Sequence, residues 1–338
     1  ELIKNFEKID KINEYTVLLP DKPLVDLPKE RKGFQYKILK PKRLWTRIAL
    51  PWAIFAAKEK PDIFFSPTHY IPGFTSVKRV VTIFDLSFLH FPEMFTKKDL
   101  WQLTNWTKFS VQNADHIITI SNFSKKDIMS QYNIKKEKIT VAYPGYDKSK
   151  FTVHSSQFTE EKYIIYIGTI QPRKNLIRLM EAIARIENLN LLIVGKTDGK
   201  GREGWMYEET LATPKRLGIE NRVKFLGFVP TEKLGDLIKG AVAFIQPSLY
   251  EGFGIPVVES MACGTPVIVS NASSLPEIVG EAGLTFDPYS VDQIEQAIRA
   301  IISDKKLRAK YAKLGLAQAN KFSYAKMARI VLNVFDKV

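Results

Sequence analysis

The sequence has a single cysteine, Cys263, among its 338 residues. One thiol excludes an internal disulfide and any metal site built from several cysteines. Cys263 lies in a small, apolar stretch (MACG) of a predicted helix, where we expect it to pack as an unreactive side chain. The sequence also has only four histidines, and they show no metal-ligand spacing with carboxylates. We therefore expect neither a bound metal nor another resident cofactor.

Long apolar runs are missing as well. No run reaches the roughly 18 residues that a membrane-spanning helix needs, and the chain does not open with a signal-peptide pattern. These absences predict a cytoplasmic protein. The chain also lacks the strand and glycine-rich turn with which a doubly wound domain normally opens. It begins instead with a helical pattern, ELIKNFEKIDKI.

Negative charge is scarce in the first half of the chain. Residues 1–150 carry 26 Lys+Arg against 16 Asp+Glu, a net charge of +10, and the remaining residues supply +4 of the total of +14. Such a charge favours anionic partners, and an anionic membrane surface is one candidate. Nucleic acid is not expected, because no zinc-finger, RNA-recognition or helix-turn-helix pattern is present.

One basic segment has two interpretations. In KPKRLWTRIALPWAIFAAKEK (40–60), basic residues alternate with aromatic and aliphatic ones. The segment suits a helix at a lipid interface, with its aromatic side chains at the boundary. It equally suits a helix that covers a sheet and leaves its basic side chains in solvent. We favour the second interpretation, because an apolar helix stripe is more often core than membrane contact.

The length predicts two domains, because 338 residues exceed what one hydrophobic core usually serves. Short apolar strands alternate with amphipathic helices in both halves, which predicts α/β domains with parallel sheets. The glycine-rich stretch GKTDGKGREG (195–204) predicts a flexible segment in the second domain.

The most informative stretch is SLYEGFGIPVVE, from Ser248 to Glu259. It follows a buried strand, AVAFIQP, and leads into an apolar helix, so its glycines lie in a strand-to-helix turn. Such a turn lets a ligand approach the backbone, and we expect the amides of Gly254, Ile255 and Val257 to point into the cleft. Glu251 and Glu259 bracket the turn, where their carboxylates are suited to accept hydrogen bonds from neutral hydroxyls.

This pattern of two glutamates around Gly-Phe-Gly and proline resembles the donor-sugar signature of glycosyltransferase family 4. The resemblance implies that Glu251 contacts the transferred sugar and Glu259 the ribose hydroxyls. The backbone of Phe253, Gly254 and Ile255 is implied to hold the sugar and the diphosphate.

Other positions extend the resemblance along the chain. Gly168 and Lys174 match a phosphate-binding turn, and Arg173 is implied to replace an arginine that the family has at Thr169. The backbone at Phe228 and Val229 is implied to frame the nucleobase. Further site residues lie in the first half. Asp85 stands at the place of a His-Asp pair, but Phe84 replaces the histidine, and neither His69 nor His90 matches the motif. Ser121 and Lys125 are implied contacts to phosphate, with a helix cap and a solvated lysine as equal alternatives.

The family resemblance implies a GT-B fold, in which two doubly wound, Rossmann-like domains face each other. Residues 1–150 form the acceptor-side domain, residues 151–322 the nucleotide-sugar domain, and residues 323–338 a helix that crosses back to the first domain. The strand that ends in Pro-Gly, with an aspartate soon after, resembles the family's linker and places the domain boundary near residues 146–156. The first domain is expected to lack its opening strand and glycine-rich loop. These would lie upstream, so the chain is a shortened one, a natural variant or one that a complementing N-terminal segment completes.

The implied reaction is retaining transfer of a hexose from a nucleotide diphosphate sugar, by similarity GDP-mannose, to a glycan or lipid-linked acceptor. It needs no metal, because Arg173 and Lys174 balance the charge of the leaving diphosphate while Glu251 orients the sugar. Two alternatives remain open. One is an epimerase or phosphorylase on the same fold, and the other is a nucleotide-sugar-binding module without activity.

Overall fold

The computed structural model of the chain describes residues 1–151, 162–196 and 207–338. Parts of the predicted domain boundary (146–156) and of the predicted glycine-rich segment (195–204) lie outside these residues. The strands are β1 (Tyr15–Leu19), β2 (Phe34–Ile38), β3 (Ile63–Ser66), β4 (Lys78–Ile83), β5 (His116–Thr119), β6 (Ile139–Val141), β7 (Tyr163–Ile167), β8 (Asn190–Val194), β9 (Val223–Gly227), β10 (Ala243–Gln246), β11 (Val267–Ser270) and β12 (Gly283–Phe286).

The helices lie before, between and after these strands along the chain. They are α1 (Leu2–Ile9), α2 (Leu50–Phe55), α3 (Ser87–His90), α4 (Lys97–Asn113), α5 (Asn122–Tyr132), α6 (Leu176–Ala184), α7 (Glu208–Leu217), α8 (Thr231–Gly240), α9 (Ile255–Ala262), α10 (Leu275–Val279), α11 (Val291–Ser303), α12 (Lys305–Ala319) and α13 (Tyr324–Phe335). The prediction of two α/β domains is confirmed.

The second domain is built on a parallel sheet of six strands in the order β12-β11-β10-β7-β8-β9. Every residue of β7, β10 and β11 is buried. Helices cover both faces of such a sheet, so its central strands are continuous apolar runs and not alternating ones. The strand order reverses between β7 and β10, and this reversal opens a crevice at the carboxyl ends of the two strands.

The first domain contains two parallel sheets, β3-β4-β5-β6 and β1-β2. Within the described residues, β1 and β3 do not pair with each other. Apolar side chains nevertheless join the two sheets, because Tyr15 of β1 and Phe65 of β3 pack in the same cluster as Phe6. The sheet of the first domain is therefore interrupted between β1 and β3.

The C-terminal helix α13 packs on the first domain. Met327 and Val331 on this helix lie in one buried cluster with Phe6, Val80 and Ile118. The helix follows the last residues of the second domain, so it ties the two domains together by apolar contact.

The basic segment at 40–60 forms a π-helical turn (Trp45–Ala49) that continues into α2. One face of α2 is buried, and Leu50 packs in a cluster with Leu18 and Phe64, as expected for a helix that covers the sheet. The other face exposes Trp52 and Phe55, which are 67% and 73% accessible. Covering the sheet therefore explains the buried face of α2 but not the exposed aromatic side chains on its other face. No helix in the described part of the chain combines the length and apolarity needed to cross a bilayer.

Candidate functional site

The site lies where the strand order of the second sheet reverses. β7 leads into a short 3-10 turn, Pro172–Lys174, and β10 leads into the turn that carries Glu251. The two strands are neighbours in the sheet, so both turns emerge at the same crevice. This topology explains why Arg173 and Lys174 meet a residue that lies almost eighty positions later.

Glu251 is held in place by four side chains. Its Oε1 accepts hydrogen bonds from Lys174 Nζ at 2.5 Å, Gln246 Nε2 at 2.8 Å and Ser248 Oγ at 2.8 Å. Arg173 Nη1 lies 3.8 Å from Oε2. Of these partners, the sequence indicated the two cations but not Gln246 or Ser248. They belong to the strand and turn before Glu251, where a polar residue at a buried strand end was the available signal.

The backbone around Glu251 is fixed as well. Its N–H donates to Ser273 Oγ at 2.8 Å, and its carbonyl accepts from Ser274 Oγ at 2.9 Å. Burial alone would raise the pKa of Glu251, but Lys174 and Arg173 outweigh it, and the net pKa lies below its usual value. Glu251 is therefore an ionised carboxylate with one oxygen, Oε2, that takes no direct hydrogen bond from the described residues.

The guanidinium of Arg173 is only partly hydrogen-bonded by the described residues. Its Nη1 donates to the carbonyl of Tyr250 at 3.1 Å. Its Nε is buried and has no hydrogen-bond partner among the described residues. A buried guanidinium N–H without a partner costs free energy. An anion in the crevice would satisfy it.

Asp85 faces this cluster from the first domain, at the end of β4. A Cβ placed on Gly252 would lie 2.7 Å from the carbonyl oxygen of Phe84 and 3.0 Å from the Cβ of Asp85, so only glycine allows this approach. Burial would raise the pKa of Asp85, but Arg173 across the cleft and the N–H of Ser87 lower it below its usual value. The structure thus brings Asp85, Arg173, Lys174 and Glu251 together between the domains.

Glu259 lies further along, on α9, and its carboxylate makes no ion pair with Arg173 or Lys174 in the described part of the chain. Burial raises its pKa to about 7, with a contribution from Asp147 in the segment that joins the domains. The protonated form of Glu259 is therefore favoured far more than that of a glutamate in solvent. Its carboxylate lies on the same helix as the glycine turn but outside the Glu251 cluster.

The glycine turn itself differs from expectation in one respect. Gly254 adopts a φ of 103°, and Pro256 occupies the first turn of α9. The N–H of Val257 donates to the carbonyl of Gly254 at 3.0 Å. The prediction that this amide is free for a ligand was wrong, because the first helical turn already uses it.

The remaining predicted donor-site residues occupy several positions. Gly168 follows β7 and its N–H donates to Val194 of β8. Phe253 is buried, Ile255 and Phe228 are exposed, and Val229 packs on the buried core. Phe228 and Val229 follow β9, two strands from β7 in the sheet. They therefore lie toward the outer end of the crevice.

Ser121, Lys125 and Glu277 hydrogen-bond to other parts of the protein. Ser121 caps α5 by accepting the N–H of Ser124, and Lys125 Nζ donates to the carbonyl of Ile139 at 2.7 Å. The helix-cap interpretation of Ser121 is confirmed, and the contacts of Ser121 and Lys125 with phosphate stay predictions. Glu277, on α10 of the second domain, accepts the N–H groups of Asn122 and Phe123. It caps α5 of the opposite domain.

His69 is a residue whose position the sequence did not reveal. Its Nε2 accepts the N–H of Phe84 at 3.0 Å, and its ring lies 5.7 Å from that of Phe84. Nδ1 is buried without a partner among the described residues. Burial lowers the pKa of His69, although Asp85 opposes this shift. A neutral imidazole therefore lies beside Asp85, contributed by the loop after β3.

Comparison with known proteins adds the following. Residues 147–317 match the family model described as glycosyl transferases group 1, and residues 13–150 match that of Glycosyltransferase Family 4. The O-antigen chain mannosyltransferase B of Escherichia coli is 31% identical over 310 residues, which cover 89% of this chain and 78% of that protein. The O-antigen chain mannosyltransferase RfbU of Salmonella typhimurium is 31% identical over 225 residues, 66% of this chain and 60% of that protein. The chain thus spans only part of the length of these relatives.

Two solved structures show the fold. Sucrose-phosphate synthase from Thermosynechococcus elongatus superposes with a TM-score of 0.79 at 19% identity, covering 99% of this chain and 91% of that one. The HepE protein of Anabaena, solved in complex with UDP-glucose, superposes with a TM-score of 0.73 at 21% identity, covering 90% and 86%. These likenesses confirm the predicted GT-B architecture of two facing doubly wound domains.

Proposed function

We propose a specific reaction from the premise that this chain belongs to glycosyltransferase family 4, whose model matches its first half, while its second half matches the glycosyl transferases group 1 model. The chain transfers a hexose from a nucleotide diphosphate sugar to a hydroxyl group of a glycan or lipid-linked acceptor, with retention of the anomeric configuration. The observation that carries the proposal is the buried Nε of Arg173, which has no hydrogen-bond partner among residues 1–151, 162–196 and 207–338, beside Glu251 and Lys174 at the strand-order reversal.

The residues divide the work between the two parts of the donor. The diphosphate gains charge as the sugar departs, and cations that are already in place stabilise it. Arg173 supplies donors for this task, and Lys174 adds a second positive charge while it holds Glu251 in position. The free Oε2 of Glu251 orients a sugar hydroxyl, and Asp85 approaches from the acceptor side.

The proton of the acceptor hydroxyl passes to the departing phosphate oxygen, so this proposal assigns no protein group as the base. It also assigns no metal, because Arg173 and Lys174 carry the charge of the diphosphate. Glu259 binds the ribose hydroxyls, and the backbone at Phe228 and Val229 frames the base. GDP-mannose is the donor we favour, since the relatives named above are mannosyltransferases. UDP-glucose, with which HepE was solved, is the donor to compare.

The acceptor side of the proposal includes contact with an anionic membrane. Between Glu30 and Glu59 the chain has no acidic residue and eight basic ones, and the exposed Trp52 and Phe55 lie in this segment. Indole and phenyl groups among basic side chains suit the interface of an anionic bilayer. Flotation with vesicles of phosphatidylglycerol is expected to carry the chain, and Trp52→Ser with Phe55→Ser to reduce it. The cytoplasmic location stays a prediction.

A nucleotide-sugar-binding module without turnover is the second candidate, favoured by the interrupted sheet of the first domain. An epimerase is less well supported, because both carboxylates of the cluster, Asp85 and Glu251, have lowered pKa values and so do not supply the acid of an acid/base pair. The binding module and the transferase predict the same nucleotide affinity, so only turnover separates them.

The test is transfer with purified protein, GDP-mannose or UDP-glucose, and a lipid-linked or oligosaccharide acceptor. We expect release of nucleotide in step with glycosylated product, an unchanged anomeric configuration by NMR, and the same rate after chelation of divalent metals. Arg173→Gln should lower kcat by about 100-fold or more. Arg178→Gln removes an equal charge from the start of α6, where the guanidinium contacts Asn175, and should have little effect. Nucleotide binding without release would favour the binding module, and an inverted product would contradict the retaining mechanism.

A further inference from the structure

Tyr250 belongs to the second domain by sequence but lies inside the first. Its side chain is 4% exposed, and its hydroxyl donates to Asp127 Oδ2 on α5 at 2.6 Å. The phenol oxygen of Tyr250 also accepts the N–H of Leu86 at 3.3 Å. Tyr250 therefore uses both hydrogen-bonding functions of its phenol within the opposite domain.

Aromatic rings complete the pocket around Tyr250. The ring of His90 stacks on it with centroids 5.1 Å apart. Phe91 and Phe123 meet it edge-on at 6.1 Å and 5.3 Å. Such pairs contribute stability beyond burial of area. The first domain thus presents a pocket whose shape and polarity both fit a phenol.

The carboxylate of Asp127 forms the floor of the pocket and has little access to solvent. The side chain of Asp127 is 8% exposed and also contacts His90 Nε2 at 2.9 Å. Burial raises the pKa of Tyr250, and the hydrogen bond to Asp127 adds to the shift. The phenol therefore remains a protonated donor, and its bond to the carboxylate is charge-assisted.

Tyr250 also connects three residues of the candidate site. Glu251 is its neighbour in the chain, Arg173 donates to its carbonyl at 3.1 Å, and Leu86, which its hydroxyl contacts, follows Asp85. Asp85 and the pair Arg173–Glu251 lie on opposite domains. Movement of Tyr250 out of its pocket would separate them.

From these contacts we propose that Tyr250 is a positioning residue, whose docking against Asp127 aligns Glu251 and Arg173 with Asp85 when the domains close. Interfaces between domains are commonly mobile, and catalysis depends on alignment to within a fraction of an ångström. Tyr250 itself touches no reacting atom. The inference depends on the proposed function only in those experiments that measure sugar transfer.

The variant Tyr250→Phe tests the inference, because it keeps the ring and removes the hydroxyl. We expect kcat for transfer to fall by about 10- to 100-fold, while the Kd for the nucleotide alone stays within about threefold. Asp127→Asn should behave similarly. The double variant should be no worse than the poorer single variant, because both changes remove one hydrogen bond.

Tyr132→Phe is the matched control. Tyr132 lies on the same helix as Asp127, and its hydroxyl is buried without a partner in the described part of the chain. Its removal should leave kcat within about twofold of the wild-type value. A kcat for Tyr250→Phe as high as that of this control, or additive losses in the double variant, would overturn the proposal.

A second measurement does not depend on transfer. Hydrogen exchange of the Leu86 amide should accelerate in Tyr250→Phe relative to the wild type and to Tyr132→Phe, because the phenol no longer accepts this N–H. If the wild type shows no transfer but exchange at Leu86 accelerates in the variant, the proposed function fails and the docking of Tyr250 stands. If exchange at Leu86 is unchanged, the docking itself is wrong.

Discussion

Glu259→Gln should stabilise the folded chain at high pH while it weakens nucleotide-sugar binding. The folded state raises the pKa of this carboxyl from 4.5 to about 7. Between these values the folded chain holds a proton that the unfolded chain has released. Stability from this group is therefore present below pH 4.5 and is lost as the pH rises through 7. Glutamine does not titrate, so the variant lacks this loss.

The size of the effect follows from the two pKa values. Between pH 5 and pH 8 the loss amounts to about 2.5 kcal/mol, and screening by solvent at a partly exposed carboxyl reduces it to about 1–2 kcal/mol. Urea unfolding at both pH values measures it in the wild type and in Glu259→Gln. Glu220→Gln serves as the control, because Glu220 is exposed and its side chain makes no hydrogen bond or ion pair with the other described residues.

The same variant tests the proposed contact with ribose. Loss of hydrogen bonds from a carboxylate to two hydroxyls should weaken nucleotide-sugar binding by about 1–3 kcal/mol. Calorimetric titration at pH 8 gives the Kd, and the affinity of Glu220→Gln should match the wild type. If the variant and wild type lose stability equally with pH, the pKa of Glu259 is not raised. If their affinities agree, Glu259 does not bind the ribose.

Three further predictions concern single positions. Glu251→Gln leaves Lys174 as a buried cation without its counter-ion and should lower the free energy of unfolding by about 3–5 kcal/mol, measured by urea unfolding; equal stability would contradict the pairing. Gly252→Ala places a methyl group against the carbonyl of Phe84, so kcat should fall while nucleotide still raises Tm in a thermal-shift assay, and an unchanged kcat would show that the domains need not approach this closely. Burial raises the pKa of Cys263 to about 12, so a thiol reagent should label the native chain at least about 100-fold more slowly than the unfolded one, and rapid native labelling would show that the thiol is accessible.

The fold could be predicted from the sequence because its signals are local. The strands β7, β10 and β11 are continuous apolar runs, and amphipathic helices separate them. Parallel strands with crossover helices leave few architectures open. The split between β1 and β3 is also consistent with the expected gap in the first sheet. Local pattern did not reveal that α2 carries apolar side chains on two faces.

The site could be predicted only where its residues share one turn. Arg173 with Lys174, and Glu251 with its glycines, are each contiguous, so spacing alone pointed to them. The contacts of Tyr250 and of Glu277 join positions more than a hundred residues apart, and no periodicity encodes such pairs.

His69 shows the same limit at the position where the expected histidine is absent. Phe84 stands before Asp85, where the family motif has its histidine, so the motif assigns no imidazole to the site. The loop after β3 folds back so that His69 accepts the N–H of Phe84 and its ring lies against that side chain. Adjacent parallel strands bring their carboxyl ends to one edge, so a histidine after β3 reaches the end of β4 as readily as one on β4 itself. The fold therefore places the imidazole of His69 beside Asp85, although the two residues are not adjacent in the sequence.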